Sequence, residues 1–132
     1  MAGFEHLFSP LQIRAKTVKN RIVSAPHVPR LDERGRLSER HIRYHVRKAE
    51  GGVGIVMAFG SANVHPAAAR LSIAINLWDA ANEEPLRDFA RRVHEHDCLI
   101  VSQASHVGRR ASALEPGTYV QGVSAMRELV HS

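Results

Sequence analysis

Three short stretches carry the side chains best suited to chemistry. Gln103, His106 and Arg109 fall within seven residues of one another in Leu99–Arg110, Leu-Ile-Val-Ser-Gln-Ala-Ser-His-Val-Gly-Arg-Arg. Pro26-His27-Val28 and Phe59-Gly60-Ser61 each follow another short apolar run. An amide donates and accepts at once, so Gln103 suits a ligand with a carbonyl–NH edge, such as a pyrimidine or isoalloxazine ring. Arg109 supplies fixed positive charge. His106 can pair with an oxygen or move a proton. Gly60 lets a planar ligand approach the backbone closely. Each also has a plain structural reading. Gly60 could be a tight turn, Gln103 a partner for backbone groups, and Arg109 half of an ion pair.

These residues must be positioned by the elements before them. Residues Arg21–Pro26, Arg-Ile-Val-Ser-Ala-Pro, read as a first core strand stopped by a proline that cannot donate to the ladder. Ser38 is a good cap for a helix over Ser38–Glu50, with Ile42, Val46 and Ala49 on one face and Gly51-Gly52 as its stop. Val53–Met57 is a second buried strand, leaving through Ala58–Ser61. A long loop, Ala62–Ala81, follows. Asn82-Glu-Glu-Pro85 opens a second helix whose core face is Leu86, Phe89, Ala90 and Val93. Leu99–Ala104 is then a third strand, expected to be buried on both faces.

Strands alternating with amphipathic helices imply parallel βαβ units with right-handed crossovers. Parallel strands end together, so the three chemical stretches fall on one face, where such sheets and barrels bind ligands. Before the first strand, Leu7–Asn20 reads as a short hairpin or plug. After Arg110 the chain reads as loop, with Pro116-Gly117 as a turn. The sheet edges are left open, which calls for completion by further strands or by a partner.

Composition narrows the function further. The chain has 132 residues, 44% of them hydrophobic, a net charge of +5 and one cysteine, Cys98. One cysteine excludes an internal disulfide framework. No run of about 18 apolar residues exists, so no membrane span is expected. The N-terminus lacks the pattern of a secretory signal, and a cytoplasmic location is expected. The basic residues are spread among acids with no aromatic platform, so no nucleic-acid partner is expected. His41 and His45 stand one helical turn apart, but no third ligand is evident, so no metal site is expected. Cys98 reads as a small buried hydrophobe rather than a nucleophile. Gly51-Gly52-Val53-Gly54 precedes a strand instead of following one, so it is not a phosphate cradle.

At these residues the chain resembles the N-terminal part of the old yellow enzyme family of NADH:flavin oxidoreductases. Leu7–Val23 is similar to the family's opening segment and Ala25-Pro26 to its first strand end. Lys48-Ala-Glu-Gly-Gly-Val-Gly54 is similar to its first helix exit, and Gln103-Ala-Ser-His106-Val-Gly108-Arg109 to its Gln-Leu-x-His-x-Gly-Arg motif. Pro26-His27, Arg70-Leu-Ser, Trp78-Asp79 and Glu115-Pro-Gly117 place it nearest the trimethylamine dehydrogenase and 2,4-dienoyl-CoA reductase branch.

The resemblance implies an α/β chain, about three βα units forming the N-terminal portion of a (β/α)8 TIM barrel. It implies FMN at the C-terminal face, with NAD(P)H as a reductant. By position, Pro26, His27 and Val28 would touch the flavin, Gly60 would lie by its ring and Gln103 would bond its pyrimidine edge. Phe59, His106 and Arg109 would face the substrate, Phe59 as part of an aromatic bowl around a methylated ammonium. Val28 stands where trimethylamine dehydrogenase carries the cysteine bonded to its flavin, so FMN here would be non-covalent. The family's proton-transfer residues, phosphate-binding strands and iron–sulfur cysteines would lie beyond this chain. The implied function is oxidation of an N-methylated amine or reduction of an activated alkene. The alternative is a non-catalytic half-barrel that needs a partner chain.

Overall fold

The computed structural model describes residues 3–68, 74–108 and 111. A short helix, α1 (Glu5–Phe8), leads into an antiparallel hairpin of β1 (Leu11–Ile13) and β2 (Lys16–Val18), with Leu11 opposite Val18. This is the hairpin expected of the entry segment. The first core strand is shorter than its apolar run suggested: β3 is only Val23–Ser24.

Helix α2 (Glu39–Glu50) begins where expected. The Ser38 hydroxyl accepts the His41 amide, and Glu39 stands in the positive first turn. Gly52, at φ +94°, ends it in the left-handed conformation that glycine tolerates. Ile42, Val46 and Ala49 are buried as one stripe. They meet Val56, Ala58 and Ala62 of β4 (Ile55–Asn63) and Phe89 and Val93 of α3 (Glu83–His94) in a single core. Fully burying a valine, isoleucine or phenylalanine side chain contributes about 1.5–3 kcal/mol, so this stripe anchors both helices to the sheet.

Strand β4 is the hub of a four-stranded sheet. It pairs in parallel with β3 at Val23–Ile55 and with β6 (Leu99–Ser105) from Ile55–Leu99 onward. At its far end Ala62 and Asn63 also pair with β5 (Ile75–Asn76), a strand within what the sequence suggested was loop. Among the described residues β6 pairs with no strand but β4. The sequence suggested a strand buried on both faces. Instead Ser102, Gln103 and Ala104 are exposed and Val101 is 41% exposed, since no described strand lies on the outer edge. Val23 is 48% exposed on the opposite edge for the same reason.

Asn82 departs from its expected role as a helix cap. Its side chain makes no capping bond to α3. It is buried, and its Oδ1 accepts the Leu37 amide at 2.7 Å. Its Nδ2 donates to the Gly35 carbonyl at 3.0 Å and the Asn76 carbonyl at 2.9 Å. One side chain thus ties the 35–37 turn, β5 and the start of α3 together. The capping work upstream falls to Asp79, whose carboxylate accepts the Ala81 amide at 2.9 Å and pairs with Arg36. Leaving a buried donor or acceptor unsatisfied costs about 1–3 kcal/mol. Asn82→Ala should therefore lower unfolding stability by about 2–4 kcal/mol, read as a fall in the urea midpoint. A loss under about 1 kcal/mol would contradict the hub role.

Candidate functional site

The site is organised by a kink in β4. Ala58 pairs with Ser102 and Ala62 with Ala104, so three residues of β4 stand opposite one residue of β6, Gln103. The extra residues form a bulge with two successive left-handed conformations, Phe59 at φ +70° and Gly60 at φ +65°. A bulky residue in that conformation is strained by about 1–2 kcal/mol, so its surroundings must hold it there.

What lies against Gly60 is the chain's own backbone. A Cβ placed there would come within 2.0 Å of the His27 carbonyl carbon, 2.3 Å of its oxygen and 2.5 Å of the Val28 nitrogen. Gly60 thus admits the loop after β3, where the sequence suggested a ligand. The structure accordingly brings together His27, Val28, Gly60 and Gln103 at the carboxyl end of the sheet.

Phe59 is the clearest correction. The resemblance implied a pocket residue in an aromatic bowl, and regular alternation from residues 55 and 57 would leave position 59 on the face away from the helices. The kink turns its side chain back into the core, where it is 2% exposed. Its ring lies 5.5 Å from that of His41, 5.7 Å from that of His45 and 5.2 Å from that of Phe89. It forms no part of an open aromatic bowl.

Gln103 keeps its expected place. It is exposed and, by alternation from the core-facing Ile100, shares the helix-free face with Val101. Below it on that face run Val101, Met57 and the rung Val23–Ile55–Leu99. Pro26 and Val28 are half-buried. His27 turns toward α2: its Nε2 hydrogen-bonds the Tyr44 hydroxyl, and the two rings meet edge-on at 5.4 Å. His106 is exposed beyond the end of β6, with Nδ1 accepting the Gly108 amide at 3.0 Å. Arg109, Leu71, Ser72 and the 115–117 turn lie outside the described residues.

Sequence reasoning missed the role of His45. His41 and His45 stack at 5.3 Å and are both buried. Neither nitrogen of His41 nor Nδ1 of His45 has a partner among the described residues. His45 Nε2 faces the Phe59 amide at 3.5 Å, beneath the kink. No described group of three or more His, Cys, Asp or Glu residues could hold a metal, and the pair packs as core. Burial, reinforced by His41, Lys48 and His27, pushes the His45 pKa down to about 3, and burial lowers His41 likewise, against the pull of Asp32. Burial also raises the Cys98 thiol, in keeping with a small buried hydrophobe.

The apolar rungs and the exposed amide above them match the chemistry of a flat heterocycle. The donor set therefore fits a flavin ring edge, with Gln103 as an exposed polar anchor on that face. The family model for the NADH:flavin oxidoreductase / NADH oxidase family matches residues 6–130. The chain is 34% identical over 131 residues to a multifunctional alkene reductase/demethylase OYE of Caballeronia cordobensis, covering 98% of this chain and 19% of that protein. It is 31% identical over 116 residues to an N,N-dimethylglycine/sarcosine dehydrogenase of Chromohalobacter salexigens, covering 83% and 16%.

Among solved structures, a 2-naphthoyl-CoA reductase complex superposes with a TM-score of 0.77 at 26% identity, covering 84% of this chain and 17% of that one. Morphinone reductase in complex with tetrahydroNAD gives 0.73 at 25% identity, covering 80% and 28%. The chain thus spans about a fifth of the length of these curated relatives. Its architecture is that of the N-terminal βα units of a TIM barrel.

Two outcomes follow for the site. Gly60→Ala should cost about 3 kcal/mol or more, since a left-handed alanine and a backbone collision act together. Its signature would be amide shifts at His27 and Val28; an unfolding free energy from urea titration within about 1 kcal/mol of the parent would count against the close approach. The second concerns acid. The fold holds His45 neutral where the unfolded chain is protonated. That stability is full above about pH 6.5 and is lost as pH falls toward about 3. Unfolding stability should therefore drop across that window, by up to about 1.4 kcal/mol per pH unit for one such imidazole, read as a falling urea midpoint. His45→Leu should flatten the slope, and a parent midpoint that does not change with pH would contradict a buried neutral ring.

Proposed function

The chain belongs to the NADH:flavin oxidoreductase / NADH oxidase family, and from that premise we propose that it contributes the ring-edge part of a non-covalent FMN site in an oxidoreductase. The observation that carries this reading is the placement of Gln103 opposite the Phe59–Gly60 kink, exposed above apolar rungs on the helix-free face. FMN, when bound, supplies the hydride-transfer chemistry. Gln103 would donate and accept along its carbonyl–NH edge. Val101 and Met57 would exclude water beneath it. Pro26 and Val28 would wall one side, on a loop seated against Gly60. Val28 has no thiol for a covalent link. His106, and Arg109 after it, would border the substrate side.

The substrate class we propose is a small N-methylated amine or an activated alkene. The names of the demethylase, sarcosine dehydrogenase and alkene reductase relatives support those two chemistries. NAD(P)H would serve as reductant in the alkene case. An iron–sulfur cluster commonly needs four cysteine ligands, and with Cys98 as the only cysteine any such cluster would be held elsewhere. The exposed β6 edge and Val23 favour completion by further barrel strands. The same edges support the competing reading, a non-catalytic half-barrel that pairs with another chain. No described helix is long and apolar enough to cross a membrane.

A chimera separates the two readings. This chain would replace the matching N-terminal segment of the alkene reductase/demethylase relative. A yellow protein that retains FMN through gel filtration is expected, and Gln103→Leu should weaken FMN binding roughly tenfold, the worth of about 1.4 kcal/mol. A folded but colourless chimera that takes up no added FMN would overturn the flavin reading.

A further inference from the structure

We propose that Tyr44 is a positioning residue that locks His27 in the Nδ1-protonated tautomer and turns its ring away from the ligand-facing side of the sheet. In this arrangement His27 offers the site its backbone and not its imidazole.

The argument begins with what each partner can do. His27 Nδ1 lies 3.5 Å from the Ala25 carbonyl oxygen. A carbonyl only accepts, so this contact is satisfied when Nδ1 carries the proton. A neutral ring protonated on Nδ1 has a bare Nε2, which only accepts. The Tyr44 hydroxyl, its partner, then donates. Both contacts select the same tautomer, although the Nε2-protonated form predominates for histidine free in water.

Tyr44 is built to donate. The Lys48 ammonium sits 4.2 Å above its ring centroid, one helical turn along α2, and also donates to Ser24 Oγ at 3.0 Å. A cation over the ring face draws electron density from it and strengthens the hydroxyl as a donor. The His45 ring meets Tyr44 edge-on at 5.1 Å and limits where it can swing. Ser24, Lys48, Tyr44 and His27 thus form one side-chain chain running from β3 across α2 and back to the loop after β3. The loop is held twice, by Tyr44 at its side chain and by Gly60 at its backbone.

The test uses the 132-residue chain without flavin, so it stands or falls independently of the FMN reading. Two-bond 1H–15N correlation spectra at about pH 8, above the ordinary imidazole pKa of about 6.5, report which nitrogen is protonated. A protonated Nδ1 and a bare Nε2 are expected at His27. Tyr44→Phe, which removes only the hydroxyl, should shift the ring to a majority Nε2-protonated population. Amide shifts at Val28 should accompany that change. A protonated Nε2 in the parent chain, or a tautomer unchanged by Tyr44→Phe, would overturn the proposal. Should Tyr44→Phe fail to fold, the parent spectrum alone decides.

Discussion

The arrangement of the sheet's carboxyl end depends on one close approach, that of the His27–Val28 backbone to Gly60. Only a residue without a Cβ leaves room for it. The contact sets the loop after β3 directly against β4. It coincides with the kink that takes β4 through two left-handed residues. The kink gives β4 three residues against one of β6, and that one is Gln103. A flat, regularly paired strand would have placed Phe59 on the helix-free face and kept the first loop at a distance.

The strain of the kink is met from below. Turning Phe59 inward seats its ring edge-on to two imidazoles and tilted against Phe89, and aromatic contacts of this kind add about 0.5–1.5 kcal/mol beyond area burial. The imidazoles exact a cost. His41 and His45 are buried, and three of their four ring nitrogens have no partner among the described residues, which an aliphatic pair would avoid. The remaining nitrogen, His45 Nε2, accepts the Phe59 amide at 3.5 Å, a donor that the bulge removes from regular ladder pairing. A neutral acceptor under the kink is a physical reason for histidine there, and it ties the integrity of the bulge to the protonation state of the core.

Legibility in the sequence followed the range of the interactions. Helix α2 was readable because its cap, its apolar stripe and its glycine stop are all local, and the structure keeps them within one residue. The parallel order of strands and the clustering of their ends were readable from alternation alone. Gln103 lies near the carboxyl end of β6, where its position in the apolar run put it, and faces the bulge of β4. The resemblance implied an outward Phe59, whereas a left-handed residue breaks the period-two alternation and turns it inward, and nothing near it in sequence announces that except the following Gly60. Asn82 looks like a cap, since Asn-Glu-Glu-Pro is a helix start. Its bonds to Leu37 and Gly35 cross more than forty residues and have no local signature. Tyr44 passed unnoticed for the same reason, being seventeen residues from His27.

The unevenness of burial across the sheet carries a final consequence. On the helix side Val56, Ala58 and Ala62 have essentially no exposed surface, while on the other side Val23 and Val101 remain nearly half exposed. Sheets buried on one face usually carry polar residues on the other. This one carries valine, isoleucine, leucine and methionine there, as strands with two apolar neighbours do, and the polar residue appears only at the carboxyl end. Such a face gains most of its stabilisation from being covered: each valine fully removed from water is worth about 1.5–3 kcal/mol. A ring lying above Gln103 would cover only the upper rung. Covering the lower rungs with other apolar side chains would stabilise that face and lower the polarity around Gln103, where an amide's hydrogen bonds count for more than in open water.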